Sequence, residues 1–368
     1  MGLGALIGGR RGRTRAIARW SVLAALVTGV PVMAQGGVGA GMPDRIWSVR
    51  DARPVSREEL LAHLAQADLI LLGETHDNVH HHRVQLGLMD ALERSGRPPI
   101  VAMEQFDRER QADLDRARGA RSSVPVLDAR AVATAAGFDF EGWSWALYGP
   151  IIERSLARGW PLVAINLSRR EAARVVREGL GALTPGEVMR LGLNDPLPAD
   201  QLRAMRDDIE TGHCGMLPPR WVEPMVDAQR ARDAVMAERL LSILASAAQP
   251  GSSASAPVGV AILGRGHARL DRGAGFNLVA HAPQRVVISI GLVESDSPLS
   301  GTGAPERASG SGGERRPIGE FPSIAAHNDA SADSLPRSAF DYLWFTPGIE
   351  RADPCLALVQ DRKPPARP

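Results

Sequence analysis

The chain reads as an α/β protein: a mainly parallel sheet flanked by helices, with a helical insertion between the third and fourth strands. Three observations carry that reading. Four short segments, DLILLGE, PPIVAMEQ, PLVAINL and VGVAILGRG, are apolar on both faces and bounded by polar or turn residues, as strands buried on both sides are. Segments of helical period separate them, the alternation that a covered parallel sheet requires. Each of the four also ends in a polar or ionisable residue, which gathers polar groups at one edge of the sheet.

Taken in order, residues 1–34 read as an export signal. Arg10, Arg11, Arg13, Arg15 and Arg19 precede the apolar SVLAALVTGVPVMA. That run is too short to span a membrane as a helix and ends in a small residue, so cleavage is expected after Ala34. Residues 35–55 read as a linker, Gly-rich at its start, and 56–360 as the folded domain, with a tail at 361–368. Helices are expected over 57–66, 78–94, 107–118, 150–158, 168–180 and 222–246, and the helical insertion over 167–246. RVVISIGL and DYLWFT add a fifth and a sixth strand. Residues 295–338, rich in Gly, Ser, Pro and Ala, read as a disordered insertion that cannot bury enough surface to offset its ordering entropy.

Composition narrows the function classes. A chain of 368 residues with 44% apolar content can bury a sizeable core. With 43 basic and 42 acidic residues the net charge is +1, so nothing draws the protein as a whole toward nucleic acid. Lys363 is the only lysine, which excludes Schiff-base chemistry and the phosphate-gripping lysine of a P-loop. Cys214 and Cys355 are the two cysteines. An exported chain favours pairing them, in a loop long enough for the bridge to contribute on the order of 4 kcal/mol. Two cysteines with no histidine at finger spacing make no structural zinc site.

The polar strand ends are where chemistry collects. The first strand ends in Gly73-Glu74-Thr75-His76, the second in Met103-Glu104, the third in Asn166 and the fourth in Gly264-Arg265-Gly266-His267. Glu74 and His76 would alternate across an extended strand, so sharing a face requires a turn, which Gly73 permits. Asp77 or Asn78 can cap the next helix, on which His81 shares a stripe with Val84, Leu88 and Leu92 and so faces inward. His80 and His82 read equally well as solvated. On the long helix of the insertion, Gln229 and Arg232 lie on the stripe between Met225 and Met236 and need polar partners, which the strand ends can supply. His213 sits between Gly212 and Gly215 beside Cys214, and WSWALYGP carries Trp143, Trp145 and Tyr148.

These motifs carry a family resemblance. GETHDNVHHHRVQ, Met103-Glu104, WSWALYGP followed by VAINLSR, GHCGMLP followed by AQRARDAVMA, GRGHARLDRG and DYLWFTPGIERADPC stand in order. Together, over 68–355, they resemble the ChaN-like haem-binding uptake family, a branch of the Tiki/TraB group. The resemblance implies an exported haem-binding protein of iron acquisition that dimerises on its ligand and works with an outer-membrane uptake system. Members are typically lipoproteins, whereas this chain lacks the lipid-attachment cysteine, so a periplasmic or secreted form is expected. A tyrosine ligand to haem iron is implied, here Tyr148, inside the shared motif, or Tyr342. His76, His81, Asn166, His213, Arg232 and His267 are the remaining cofactor-binding candidates. The wider group includes metal-dependent peptidases, and it implies an alternative: a hydrolase, peptidase or esterase, using Glu74, His76, Glu104 and His267. His76, Glu104 and His267 would then hold a divalent metal ion.

Overall fold

The structure, a computed structural model, describes residues 45–119, 128–247, 256–295, 338–352 and Cys355. The expected export signal and tail lie outside these residues, as does the 295–338 insertion apart from its end residues. The chain begins with β1 (Arg45–Ser48), β2 (Arg53–Val55), α1 (Arg57–Leu64), β3 (Leu69–Glu74), α2 (Val79–Arg94) and β4 (Pro99–Asp107). It continues through α3 (Gln111–Gly119), α4 (Ala129–Ala135), α5 (Trp145–Arg158), β5 (Leu162–Asn166), α6 (Arg169–Glu178) and α7 (Pro185–Arg190). The last described elements are α8 (Ala199–Gly212), α9 (Val222–Ala247), β6 (Val258–Gly264), α10 (Ala274–His281), β7 (Val287–Ser295) and β8 (Tyr342–Pro347).

One sheet takes the order β2-β1-β8-β7-β3-β6-β4-β5. Strands β3 to β8 pair in parallel, and β1 and β2 join antiparallel at one edge. The expected mainly parallel sheet flanked by helices is therefore present, with α6 to α9 as the helical insertion between β5 and β6. Residues 45–55, read from the sequence as linker, instead form an edge hairpin. Its strands bury only Ile46, Ser48 and Val55, too few positions for alternation to stand out from a polar background.

Burial on both faces explains the unbroken apolar runs. On β3 and β6, Ile70, Leu72, Val260 and Ile262 pack to one side with Leu88 of α2 and Ile151 of α5. Leu69, Leu71, Ala261 and Leu263 pack to the other with Met236 and Leu240 of α9 and Leu278 of α10. The period-2 alternation of a strand thus serves two cores rather than one core and solvent. The insertion adds its own cluster, where Val175 and Leu183 meet Ala231 and Val235 of α9.

Helix α5 departs from expectation in a way that matters for the site. Pro150 reads as a first-turn residue, yet α5 starts at Trp145 and holds Pro150 inside it. Proline removes one backbone donor there. The early start is supported by Ser144, whose carbonyl accepts from the amides of Leu147 and Tyr148. The extra turn is what points Tyr148 into the core.

Both sheet edges are finished by side chains or by proline. At β5 the amide of Ala164 donates to Gln111 Oε1 at 2.7 Å, and Arg239 Nε donates to the Ala164 carbonyl at 3.1 Å. At the other edge β2 carries Pro54, which has no amide to offer. Cys214 and Cys355 are joined in a disulfide that closes a separation of 141 residues, as the sequence reading expects.

Gly73 is needed for close approach rather than for a turn. A Cβ at this position in β3 would sit 2.7 Å from the Ala268 Cβ and 3.1 Å from the Arg265 Cα. The absence of a side chain therefore lets the loop after β6 close against β3. Gly73→Ala is expected to destabilise the fold by about 1–3 kcal/mol through overpacking. Urea unfolding measures it, and an unchanged midpoint would mean that the loop yields freely and the close approach is not required.

Candidate functional site

The carboxyl ends of β3, β4, β5 and β6 deliver their polar residues to one edge, as open parallel sheets do. Thr75 and Asn78 close a turn after β3, with the Asn78 amide donating to the Thr75 carbonyl at 3.0 Å. This turn, outside the strand, brings Glu74 and His76 together. Asn78 then caps α2, accepting from the His80 amide at 2.8 Å.

Glu74 is 2% exposed and its carboxylate is surrounded by donors. Gln85 Nε2 donates to Oε2 at 2.6 Å, the Tyr148 hydroxyl donates to Oε1, and His76 Nδ1 lies 3.0 Å from the same oxygen. His82 Nδ1 is 3.6 Å from Oε2, while its Nε2 donates to the His76 carbonyl at 3.0 Å. A buried carboxylate demands such partners. The Glu74 carboxylate holds a proton on His76 Nδ1, and Nε2 makes no hydrogen bond among the described residues. The His76 side chain is 42% exposed, and its ring meets Trp143 edge-on with centroids 4.9 Å apart. Burial alone would lower the pKa of His76, but the Glu74 hydrogen bond and the charges of Glu104, Glu74 and Asp77 outweigh it and raise the value.

A second unit is closed off from water. Glu104 Oε2 accepts from the Gly264 amide at 2.7 Å, and Oε1 lies 3.6 Å from His267 Nε2. On its other side His267 Nδ1 meets Asp233 Oδ1 at 2.6 Å and Gln229 Nε2 at 3.1 Å. Desolvation alone would lower the pKa of His267, but the Glu104 and Asp233 charges and the Asp233 hydrogen bond raise it. Burial would raise Glu104, yet His267, His76 and the Gly264 amide hold its carboxyl below the ordinary value. Asp233 goes the other way: desolvation pushes its carboxyl up although His267 opposes it. Gly264 joins the two units, because a Cβ there would come within 2.9 Å of His76 Nε2 and 3.6 Å of Glu104 Oε2.

The remaining candidates are distributed unevenly. Asn166, 6% exposed, stands at the end of β5 with its Oδ1 buried and unpartnered among the described residues. Arg232 on α9 is half-buried and makes no hydrogen bond or ion pair among the described residues, while its charge reaches Glu104, Asp107 and His267. Burial raises the Asp107 carboxyl to about 6. His81 is fully buried: its Nδ1 accepts from the Thr75 amide at 2.9 Å, and desolvation lowers its pKa to about 4. It therefore supports the turn as a neutral ring and presents nothing to a ligand. His213 is not brought to the strand ends. Its Nδ1 donates at 2.7 Å to the Ile209 carbonyl of its own helix.

Both tyrosines are buried. Tyr148 is 1% exposed, with its hydroxyl committed to Glu74. Desolvation, the Glu74 charge and the Glu74 hydrogen bond push its pKa upward. Tyr342 is also buried and engages His63 Nδ1. The divalent-metal set of His76, Glu104 and His267 is not preformed either: among the described residues, no group of three or more His, Cys, Asp or Glu is arranged to hold a metal ion.

His82, Gln85 and Asp233 are site residues that the sequence reading passed over. Gln85 follows His81 by one helical turn on the inward stripe, and Asp233 interrupts the buried run Ala231, Ala234, Val235 and Met236. A polar residue at an apolar-face position was the available signal in both cases.

The fold and the site together define an α/β protein with two carboxylate–imidazole units at the ends of parallel strands. The chain belongs to the haem-binding uptake family of the Tiki superfamily, ChaN, whose model matches residues 60–276. Its fold is similar to that of ChaN of Campylobacter jejuni, described for its cofacial haem binding, with a TM-score of 0.56 at 17% identity over 84% of this chain and 98% of that one. A mutant erythromycin esterase in its open conformation gives a TM-score of 0.38 at 13% identity, covering 64% of this chain and 72% of that one. RRSP, a MARTX toxin effector domain from Vibrio vulnificus, gives 0.36 at 16% identity, covering 64% and 35%. At those scores neither bears on function. No curated protein matches the sequence significantly.

The closed unit makes stability depend on pH. Because the folded-state pKa of His267 lies above the ordinary 6.5, its ion pairing stabilises the fold below that pH and is lost as pH rises through the folded value. Glu104, held below 4.5, contributes above that pH and loses its contribution as pH falls through its depressed value. His267→Gln is expected to cost about 3–5 kcal/mol, since Glu104 and Asp233 lose their shared cation. It should also flatten the decline in urea midpoint above neutrality. A variant as stable as the parent, or one with the same alkaline slope, would show that the pair does not hold this edge together.

Proposed function

We propose that the protein is an exported haem-binding protein serving haem or iron uptake, with haem as cargo received at the carboxyl edge of the sheet. Family membership is the observation that carries haem rather than another ligand, because the matched residues, 60–276, include every strand end of the crevice. Export is supported by the disulfide, which suits an oxidising compartment. Among the described residues no helix is long and apolar enough to cross a membrane. An outer-membrane uptake system is the partner this reading calls for. Association of two copies on their haem is the assembly that the cofacial binding of the Campylobacter protein suggests.

The residues present fit haem, with a different ligand from the tyrosine that the resemblance implies. His76 offers a half-exposed ring whose Nδ1 is held by Glu74 and whose Nε2 makes no hydrogen bond among the described residues. A ligating imidazole oriented by a carboxylate on its other nitrogen is the usual arrangement for metal-bound histidine. The guanidinium of Arg232, half-buried and unpaired among the described residues, suits a propionate, with Asn166 at the end of β5. Tyr148 acts one step back, as the hydroxyl that fixes Glu74.

A second reading rests on one observation, the Glu104–His267–Asp233 array beside Glu74–His76. Two imidazoles held between carboxylates are equipped for proton transfer, which is what a hydrolase of peptidase or esterase type needs. Glu104→Gln would abolish such an activity and leave haem affinity nearly unchanged.

Titration with ferric haem, followed by absorption, tests the first reading. The parent should give a saturable Soret band. Glu74→Gln should weaken binding about 10–100-fold by loosening the His76 ring. His76→Ala should change the band itself, and Tyr148→Phe should lower affinity without changing the spectral class. If His76→Ala leaves the spectrum intact and Tyr148→Phe removes it, the tyrosine is the ligand after all. No band at any haem concentration would leave the hydrolase as the better reading.

A further inference from the structure

We infer that Trp143 is a specificity-determining residue of the His76 site, the aromatic surface against which a wide, planar conjugated ligand lies. The ligand class rests on the haem reading, and the choice of residue rests on contacts within the chain. Trp143 and His76 meet edge-on with ring centroids 4.9 Å apart, and the His76 side chain is 42% exposed. A flat macrocycle centred on the imidazole spreads to every side of it and so reaches a neighbour at that distance. A small ligand on the same ring can avoid the indole. Preference for width therefore comes from Trp143 rather than from His76.

The indole is held in place before any ligand arrives. Asp139 Oδ1 accepts from the Glu141 and Gly142 amides at 3.1 and 3.0 Å, and the Trp143 amide donates to the Asp139 carbonyl at 2.9 Å. A side chain that closes a turn on the backbone in this way fixes it locally. The buried Tyr148 ring also meets the indole edge-on, with centroids 5.5 Å apart. Yet Trp143 is only half-buried. Its Nε1 makes no hydrogen bond among the described residues and is not sealed from solvent.

Two other tryptophans mark the contrast. Trp160 is 2% exposed, and its Nε1 donates to Glu93 at 3.1 Å, as a purely structural indole does. Trp145 is half-buried like Trp143, but its ring packs on Phe138 and Phe140 with Arg130 over it. Of these three rings only that of Trp143 contacts His76. A preset aromatic surface with an unused donor, beside a half-exposed imidazole, is the kind of lining that recognition sites use.

Binding of ferric haem and of metal-free protoporphyrin to the full chain, followed by absorption and tryptophan emission, tests the assignment. Trp143→Ala should lower haem affinity about tenfold, and Trp143→Phe, which keeps a ring, about two- to threefold. Trp145→Phe, the matched control, should leave it unchanged. Diethyl pyrocarbonate should modify His76 no more slowly in Trp143→Ala than in the parent, because the imidazole is still presented. Metal-free protoporphyrin should quench the emission of the parent more than that of Trp143→Phe. Equal haem affinity in the parent and Trp143→Ala overturns the inference and leaves the haem reading standing. Slower modification of His76 overturns it too, since the loss would then come from a displaced imidazole. Quenching by protoporphyrin that depends on Trp143, in a protein with no Soret band on adding haem, would uphold the aromatic surface and discard the haem reading. Binding of neither probe overturns both.

Discussion

The rest of the site depends on burying the Glu74 carboxylate at the end of the central strand. At 2% exposure it has given up its water, and the cost of doing so is several kcal/mol unless protein groups replace that water. The replacements come from three places: Gln85 on α2, Tyr148 on α5, and His76 in the turn between β3 and α2. Those demands set the rotation of α2 about its axis and require α5 to begin before its proline. The orientation of His76 is a product of the same requirement.

The two carboxylate–imidazole units use similar groups for different ends. Glu74 and His76 form a buried acid with a half-exposed ring. Glu104, His267 and Asp233 form an array sealed from solvent and braced by α9. Gly264 lies between them, its amide committed to Glu104 and its Cα face left open for the His76 ring. The strand ends thus carry a sealed carboxylate–imidazole array beside a half-exposed imidazole ring.

Much of this was legible in the sequence because it follows from periodicity. The four buried strands, the polar residue at each of their ends, the inward stripe of α2 and the long helix α9 all come from spacing alone. What escaped did so for identifiable reasons. The hairpin of β1 and β2 is too short to show a period. Pro150 imitates a helix start, which hid the turn that aims Tyr148 inward. Exposure was the decisive missing quantity: Tyr148 and His76 both look like ligands in a sequence, and only packing separates the sealed phenol from the open imidazole. Asp233 acts across the fold, on His267, and its place on a buried helix face was the one local signal of such a partner.

The treatment of the sheet edges has a consequence for how copies of this chain can meet. An unpaired edge strand is a template for another strand, and proteins that leave one bare risk open-ended stacking. Here Gln111 and Arg239 occupy the outer backbone groups of β5, and Pro54 breaks the donor row of β2. Growth of the sheet from one molecule into the next is blocked at both ends. Any pairing of two copies is thus directed to helices and loops, among them the loops that border the crevice.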